Sequence, residues 1–316
     1  MELIVLGTSE FSLSCARAVL DSGQTISAVI SLPQHLMPLN PVNMAAFAKT
    51  QGIPYYEIDD INSQSTIDLL KKLSPDYILC SWPKLVRREV LEIPRRFCIG
   101  DHPTSLPYNR GRHPLHWLIA MGHHETKMSF FKMDEGIDSG PILVQVPFSI
   151  ETTDKIDTVV DKMNQAAYTG IKKLMEKISH DPLYEGEKQN QDKANYWRKR
   201  SVHDLIIDMR MPADLILRTV RSFSPPYPCA KFIFKEHILN IQDANLAKTH
   251  LSSEEVKRIE PGKIMSWEGK KVQIKADDAI VELECDVDLP ADLRAANYVH
   301  PPTKYMAEWP ENLLKS

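Results

Sequence analysis

Two short stretches concentrate side chains that can hold, give and take protons. The first runs Cys98-Ile99-Gly100-Asp101-His102-Pro103-Thr104-Ser105-Leu106-Pro107-Tyr108-Asn109-Arg110-Gly111-Arg112-His113-Pro114. It crowds two imidazoles, one carboxylate, two guanidiniums and one amide into a run rich in Pro and Gly. That density predicts neither a helix nor a regular strand. A loop that is both stiff and polar is suited to positioning reactive groups on a scaffold. The plainer alternative is a solvated loop in which His102 satisfies a neighbouring backbone group. The second stretch, Phe130 to Leu143, reads as a strand, an acidic turn around Gly136 and a further apolar strand. An imidazole titrating near neutrality can donate to a developing charge and exchange protons, and a carboxylate beside it fixes its orientation.

The elements around these stretches predict a Rossmann-like α/β fold. Leu3–Leu6 is an unbroken apolar run ending at Gly7, as in a buried parallel strand. Gly7-Thr8-Ser9-Glu10 opens a helix capped by Ser9 or Thr8, and residues 27–31 form the next strand. The turn has one Gly, so it is no dinucleotide fingerprint, although it can admit a ligand to backbone amides. Helices are predicted over residues 44–50, 65–73, 115–121 and 155–178, and strands over 53–56, 77–80, 126–133 and 142–148. Residues 84–91 read as a helical turn, and 32–42, with three prolines, as an ordered loop. The polar run from His180 to Asn195 marks a domain boundary. Beyond it a helix over 213–223, a stiff Pro-aromatic turn and five short apolar segments predict a smaller, mostly β, OB-like domain. The expected domains are 1–198 and 199–316.

Bulk properties narrow the classes. With 43% hydrophobic and 25% charged residues, the chain supports an ordinary globular core. A net charge of −4 gives no basic excess for gripping a long polyanion. Five scattered cysteines without a CxxC suggest neither a disulfide framework nor a metal site, so no metal is expected. Met1–Leu6 is too short for a signal peptide or a membrane span, and a cytoplasmic protein is expected.

The two reactive stretches together resemble the 10-formyltetrahydrofolate-dependent formyltransferases. In that family an Asn-x-His-Pro-Ser-Leu-Leu-Pro loop is followed, tens of residues later, by Met-Asp-Glu-Gly-x-Asp-Thr-Gly. The match is close at His102-Pro103, Leu106-Pro107, Arg110-Gly111 and Met133 to Gly140, and it departs at Gly100, where the family has Asn. In the second half, Lys199-Arg200, Ile207-Asp208, Ala213 to Ile216 and Arg221 to Pro228 are similar to the C-terminal domain of the methionyl-tRNA and aminoarabinose members. The resemblance implies a one-carbon (formyl) transferase of EC 2.1.2 type, with 10-formyltetrahydrofolate as donor co-substrate. Formyl transfer to an amine needs a base for the amine proton, donors about 3 Å from the oxyanion, and an acid for the leaving nitrogen. By position in the motifs, His102 and Asp138 fill these roles. With Gly100 lacking a side chain, Asn109 is the expected substitute donor, the alternatives being Arg112, His113, a backbone amide or loss of transfer.

For the folate, the resemblance points to two loops, Trp82, Leu85 and Val86 on one and Asp134, Glu135, Gly136, Ile137 and Asp138 on the other. Leu85 is the residue expected to offer its backbone, and Gly136 is expected to allow close approach and positive φ. For the acceptor, methionyl-tRNA members carry a basic insertion after the second strand. Here residues 32–41 contain no Lys or Arg, and the region after Arg200 is not basic overall. The Asn109-Arg110-Gly111-Arg112-His113-Pro114 form resembles sugar-modifying members. Hence a nucleotide-linked amino sugar is expected, with Gly7 and Ser9 at the substrate, Arg110 and Arg112 on a diphosphate, and Phe223 or Tyr227 stacked on a base. Methionyl-tRNA formylation, a non-catalytic folate-binding module and a formyltetrahydrofolate hydrolase are the alternatives, and a homodimer is left open.

Overall fold

The computed structural model describes residues 1–37 and 42–306. Residues 38–41 of the expected proline loop lie outside the described residues. In chain order the first elements are β1 (Leu3–Leu6), α1 (Glu10–Asp21), β2 (Ile26–Ser31), α2 (Met44–Gln51), β3 (Tyr55–Glu57), α3 (Gln64–Leu73) and β4 (Tyr77–Cys80). There follow α4 (Arg88–Leu91), β5 (Phe97–His102), β6 (Arg110–Gly111), α5 (Pro114–Ala120), β7 (Glu125–Lys132), β8 (Ile142–Ser149), α6 (Ile156–His180) and β9 (Tyr196–Trp197). Side-chain caps start two of these helices. Asn43 accepts from the Ala46 amide ahead of α2, and Ser63 from the Thr66 amide ahead of α3.

The chain divides into two compact units. The first comprises residues 1–114, 125–149 and 160–197, and the second 115–124, 150–159 and 198–316. Two segments of the N-terminal half thus fold with the second unit, which a single boundary drawn along the sequence does not describe.

The first unit holds a seven-stranded sheet ordered β3-β2-β1-β4-β5-β7-β8. Pairing is parallel from β3 through β5 and antiparallel for β5–β7 and β7–β8. β1 and β4 are buried throughout, which is why they read as unbroken apolar runs. Consecutive strands leave β1 in opposite directions across the sheet, so the carboxyl ends of β1 and β4 meet at the topological switch point where open α/β sheets bind ligands. Gly7 to Ser9 and Ser81-Trp82 follow these ends.

The first reactive stretch differs from the loop expected of it. Residues 98–102 are a strand within the sheet, with Gly100 opposite Phe131. The glycine is there for space: a Cβ on it would lie 2.8 Å from both Met133 Cγ and Phe131 Cζ. The side chains of β7 and the residue after it fill the place that the family's Asn would occupy. The helical turn expected over 84–91 shrinks to α4, because residues 84–87 run as non-helical chain.

The second unit is built on α7 (Ala213–Ser222), β10 (Ala230–Phe234), β11 (His237–Leu246), α8 (Ser253–Lys257), β12 (Ile264–Glu268), β13 (Lys271–Lys275) and β14 (Ile280–Cys285). Its strands form an antiparallel sheet ordered β10-β11-β14-β13-β12. Ile216, Val220 and Phe223 pack with Phe232, Ile241, Val272, Ile274 and Leu283 in one core. Among the described residues, the group of metal-ligand type is Glu236, His237 and Asp292 in this unit, with Lys235 Nζ already 2.9 Å from the Asp292 carboxylate. All five cysteines are buried and free. No helix among the described residues is long and apolar enough to cross a membrane.

Candidate active site

His102 ends β5 and is 4% exposed. One ring nitrogen, Nε2, lies 2.8 Å from the Asn109 carbonyl, and the other, Nδ1, lies 3.5 Å from Asp138 Oδ2. A carbonyl only accepts, so Nε2 carries a proton and donates it. Each ring nitrogen therefore has an oxygen to hold a proton against. Asp138 sits in the turn between β7 and β8 at φ 52°, left-handed backbone that few residues other than glycine adopt. Its Oδ2 also accepts from the Gly111 amide at 2.9 Å. Thus the two motifs, more than thirty residues apart, meet as a buried imidazole and a partly buried carboxylate.

The turn that carries Asp138 is knitted from its own residues. Asp134 Oδ1 accepts from the Gly136 amide at 3.0 Å and from Ser139 Oγ at 2.7 Å. The left-handed residue is Asp138, not Gly136 as expected; Gly136 makes room for Ser139, whose Oγ is 2.0 Å from where a Cβ would stand. Glu135 lies 3.6 Å from Arg88, linking this turn to α4. Ile137 is 55% exposed, and Leu85, on the other loop expected at the folate, is 70% exposed. The Leu85 carbonyl accepts from Asn62 Nδ2 at 2.9 Å. Val86 instead points inward and joins the core with Ile78 and Val90, against which Trp82 packs. Trp82 Nε1 is buried without a hydrogen-bond partner.

Several expected substrate contacts take other places. The Asn109 side chain meets Asn195, whose Nδ2 donates to Asn109 Oδ1 at 3.0 Å, while the Asn109 carbonyl is what faces His102. Asn109 is left-handed, at φ 62°, the turn conformation open to Asn. Arg110 is 0% exposed, so a ligand in solvent does not reach its guanidinium. Its Nη1 donates to Gln191 Oε1 and the Tyr196 hydroxyl, and its Nη2 to Gln189 Oε1. Arg112 is exposed. Gly7 abuts Ser12, with a Cβ there falling 2.2 Å from Ser12 Oγ, and Ser9 is the N-cap residue of α1. In the second unit Phe223 is 2% exposed under the Arg200 guanidinium, 3.7 Å from its ring centre, so it is core and not a platform for a base. Tyr227 lies edge-on to His116 at 4.9 Å.

Asp101 precedes His102 at the end of β5. Burial pushes its carboxyl up to about 7; the Asp138 carboxylate adds to the rise and a hydrogen bond with Ser81 opposes it. A carboxyl held this far above its unfolded value near 3.9 stabilises the fold below about pH 4, and that contribution is lost as pH rises through about 7. Asp101→Asn is therefore expected to be more stable than wild type at about pH 8 and to lose this advantage near pH 4. Thermal melts of both proteins across that range check it, and parallel curves would refute it.

Residues 1–175 match the formyl transferase family, and residues 199–286 the formyl transferase C-terminal domain. The chain is similar to methionyl-tRNA formyltransferase of Bacillus licheniformis, 26% identical over 273 residues, covering 84% of this chain and 83% of that one. In fold it is similar to the N-formyltransferase from Helicobacter canadensis in complex with folinic acid and dTDP-3-aminofucose, with TM-score 0.66, 17% identity, and 90% and 98% of the two chains covered. It is also similar to a variant of HypX from Aquifex aeolicus (TM-score 0.63, 15% identity, 90% of this chain), of which it spans 43%. With more than half of its length matched by the family, and a buried His–Asp pair where the family's two motifs meet, the chain belongs to the formyltransferases, enzymes of one-carbon transfer.

Proposed function

We propose that the protein transfers the formyl group of 10-formyltetrahydrofolate to the amine of a nucleotide-linked amino sugar. The donor reading is supported by the two loops flanking the switch point. Leu85 and Ile137 expose apolar surface there, the Arg88–Glu135 contact links the loops, and the indole N–H of Trp82 is buried without an acceptor. Exposed apolar surface beside the switch point suits a flat heterocycle with apolar faces. The donor supplies an acylated nitrogen, and the remaining work falls to this chain. His102, held at Nε2 by the Asn109 carbonyl, offers the N–H of Nδ1 to the formyl oxygen as charge develops on it and passes that proton to the leaving nitrogen, regaining one from the amine by way of Asp138. Asp138 holds the ring in place and takes the amine proton, directly or through water. Asn109 serves by its carbonyl, which orients His102.

The acceptor class rests on charge. Residues 32–41 have no Lys or Arg and the whole chain carries −4, whereas gripping a nucleic acid depends on cations against phosphates. The dTDP-3-aminofucose in the complex of the Helicobacter canadensis enzyme fits the same reading. Methionyl-tRNA formylation is the second reading, favoured by the name of the Bacillus licheniformis relative. Melting curves separate the two. A nucleotide-linked amino sugar is expected to raise Tm by mass action, while tRNA at about 0.15 M salt leaves Tm and gel mobility unchanged. A tRNA shift at that salt, with no response to any sugar, supports the second reading against the first.

A further inference from the structure

Arg110 is among the largest side chains wholly removed from solvent, yet the oxygens it binds are neutral: two glutamine amides and one tyrosine hydroxyl. Keeping a cation in such a place is costly. A guanidinium only donates, so it turns the Oε1 atoms of Gln189 and Gln191 toward itself and their Nε2 groups away. Both Nε2 groups then face the turn that carries Asp138. Gln189 donates to the Asp138 carbonyl at 2.8 Å and the Gly140 carbonyl at 2.7 Å, and Gln191 to the Ser139 carbonyl at 3.3 Å. Three successive carbonyls are held by two amides whose orientation one arginine sets.

We propose that Arg110, Gln189 and Gln191 are positioning residues for the transfer, a clamp that sets the Asp138 carboxylate against His102; this rests on the roles given to those two residues above. The left-handed φ of Asp138 persists because its surroundings over-determine it. Arg110 also grips the other half of the pair through its chain neighbours. The Asn109 carbonyl holds His102 Nε2, and the Gly111 amide holds Asp138 Oδ2. The strand pairing of β6 with β9 brings residues 189–197 to this tripeptide. Without the arginine, either amide can turn over and set oxygen against oxygen at the carbonyls of the turn.

Gln189→Glu tests the clamp. A carboxylate keeps Arg110 as its partner and gains an ion pair, so the fold is retained. It has no N–H to give to Asp138 and Gly140, so the turn loosens. Hydrogen exchange at the Gly111 amide is expected to quicken about tenfold or more while global exchange is unchanged. In turnover, kcat is expected to fall about tenfold or more, with KM for 10-formyltetrahydrofolate within about threefold and the pH profile of kcat displaced. Gln189→Leu gives the same loss of donor without the added charge, should the glutamate variant not fold. A folded variant of either kind with wild-type Gly111 exchange and an unchanged pH profile overturns the clamp. Absence of formyl transfer by the wild-type enzyme would instead count against the proposed function, and the exchange measurement would still decide the clamp.

Discussion

His102→Ala is expected to lower turnover by at least about 10²-fold, and by up to about 10⁴-fold, because in the proposed transfer one group both exchanges protons and stabilises the developing charge. Asp138→Ala is expected to fall in the same range. The geometry separates this loss from a loss of folding. His102 touches the Asn109 carbonyl and approaches Asp138, whose carboxylate keeps the Gly111 amide, so its removal leaves the Asn109 carbonyl without a donor and costs about 1–3 kcal/mol of stability. That is below the total stability of an ordinary domain, about 5–15 kcal/mol, so the variant should remain folded. His102→Gln, which keeps an N–H at a similar reach, should recover stability without recovering turnover. Steady-state kinetics beside melting curves check all three, and near-normal kcat in the folded alanine variants would remove these residues from the chemistry.

Gly140→Ala is expected to destabilise the first unit by roughly 3 kcal/mol or more, since overpacking against backbone cannot be relieved by a rotamer change. A Cβ on Gly140 would stand 1.8 Å from the Lys132 carbonyl oxygen. That oxygen belongs to β7, which is paired with β5 and β8, so it has nowhere to go. Gly136→Ala makes a contrast within the same turn. Its Cβ would meet Ser139 Oγ at 2.0 Å, a hydroxyl that can rotate aside at the loss of its bond to Asp134. The cost there should be about 1 kcal/mol. Urea midpoints of the two variants test the ranking, and equal midpoints would refute it.

What could be read ahead of the structure follows a physical line. Buried parallel strands announce themselves as unbroken apolar runs, and β1, β2 and β4 fall within a residue of the runs at Leu3, Ser27 and Tyr77. The same rule misled at residues 98–102. Gly100, Asp101 and His102 carry no strand signal, yet they lie in the sheet because Phe131 and Met133 fill the space above the glycine. The meeting of His102 with Asp138 was legible through two motifs. The directions of Asn109 and Arg110 were not. They depend on Gln189, Gln191 and Asn195, in the polar run that marks the expected domain boundary, and on Tyr196 just past it, roughly eighty residues further on. Neutral amides have neither periodicity nor charge by which a sequence could reveal such a partnership. Phe223 was misplaced for a related reason, because an aromatic beside prolines reads the same whether it lines a site or, as here, packs under Arg200.

The His102–Asp138 site is proposed to move a formyl group from 10-formyltetrahydrofolate to the amine of a nucleotide-linked amino sugar. The most direct measurement is a side-by-side transfer assay with purified protein, 10-formyltetrahydrofolate, a panel of nucleotide-linked amino sugars and methionyl-tRNA, read by mass spectrometry of the acceptor. Formylation of at least one sugar amine is expected, lost in His102→Ala, with no comparable transfer to the tRNA. Formylation of methionyl-tRNA at a rate matching or exceeding every sugar, or release of formate with no amine modified, would contradict it.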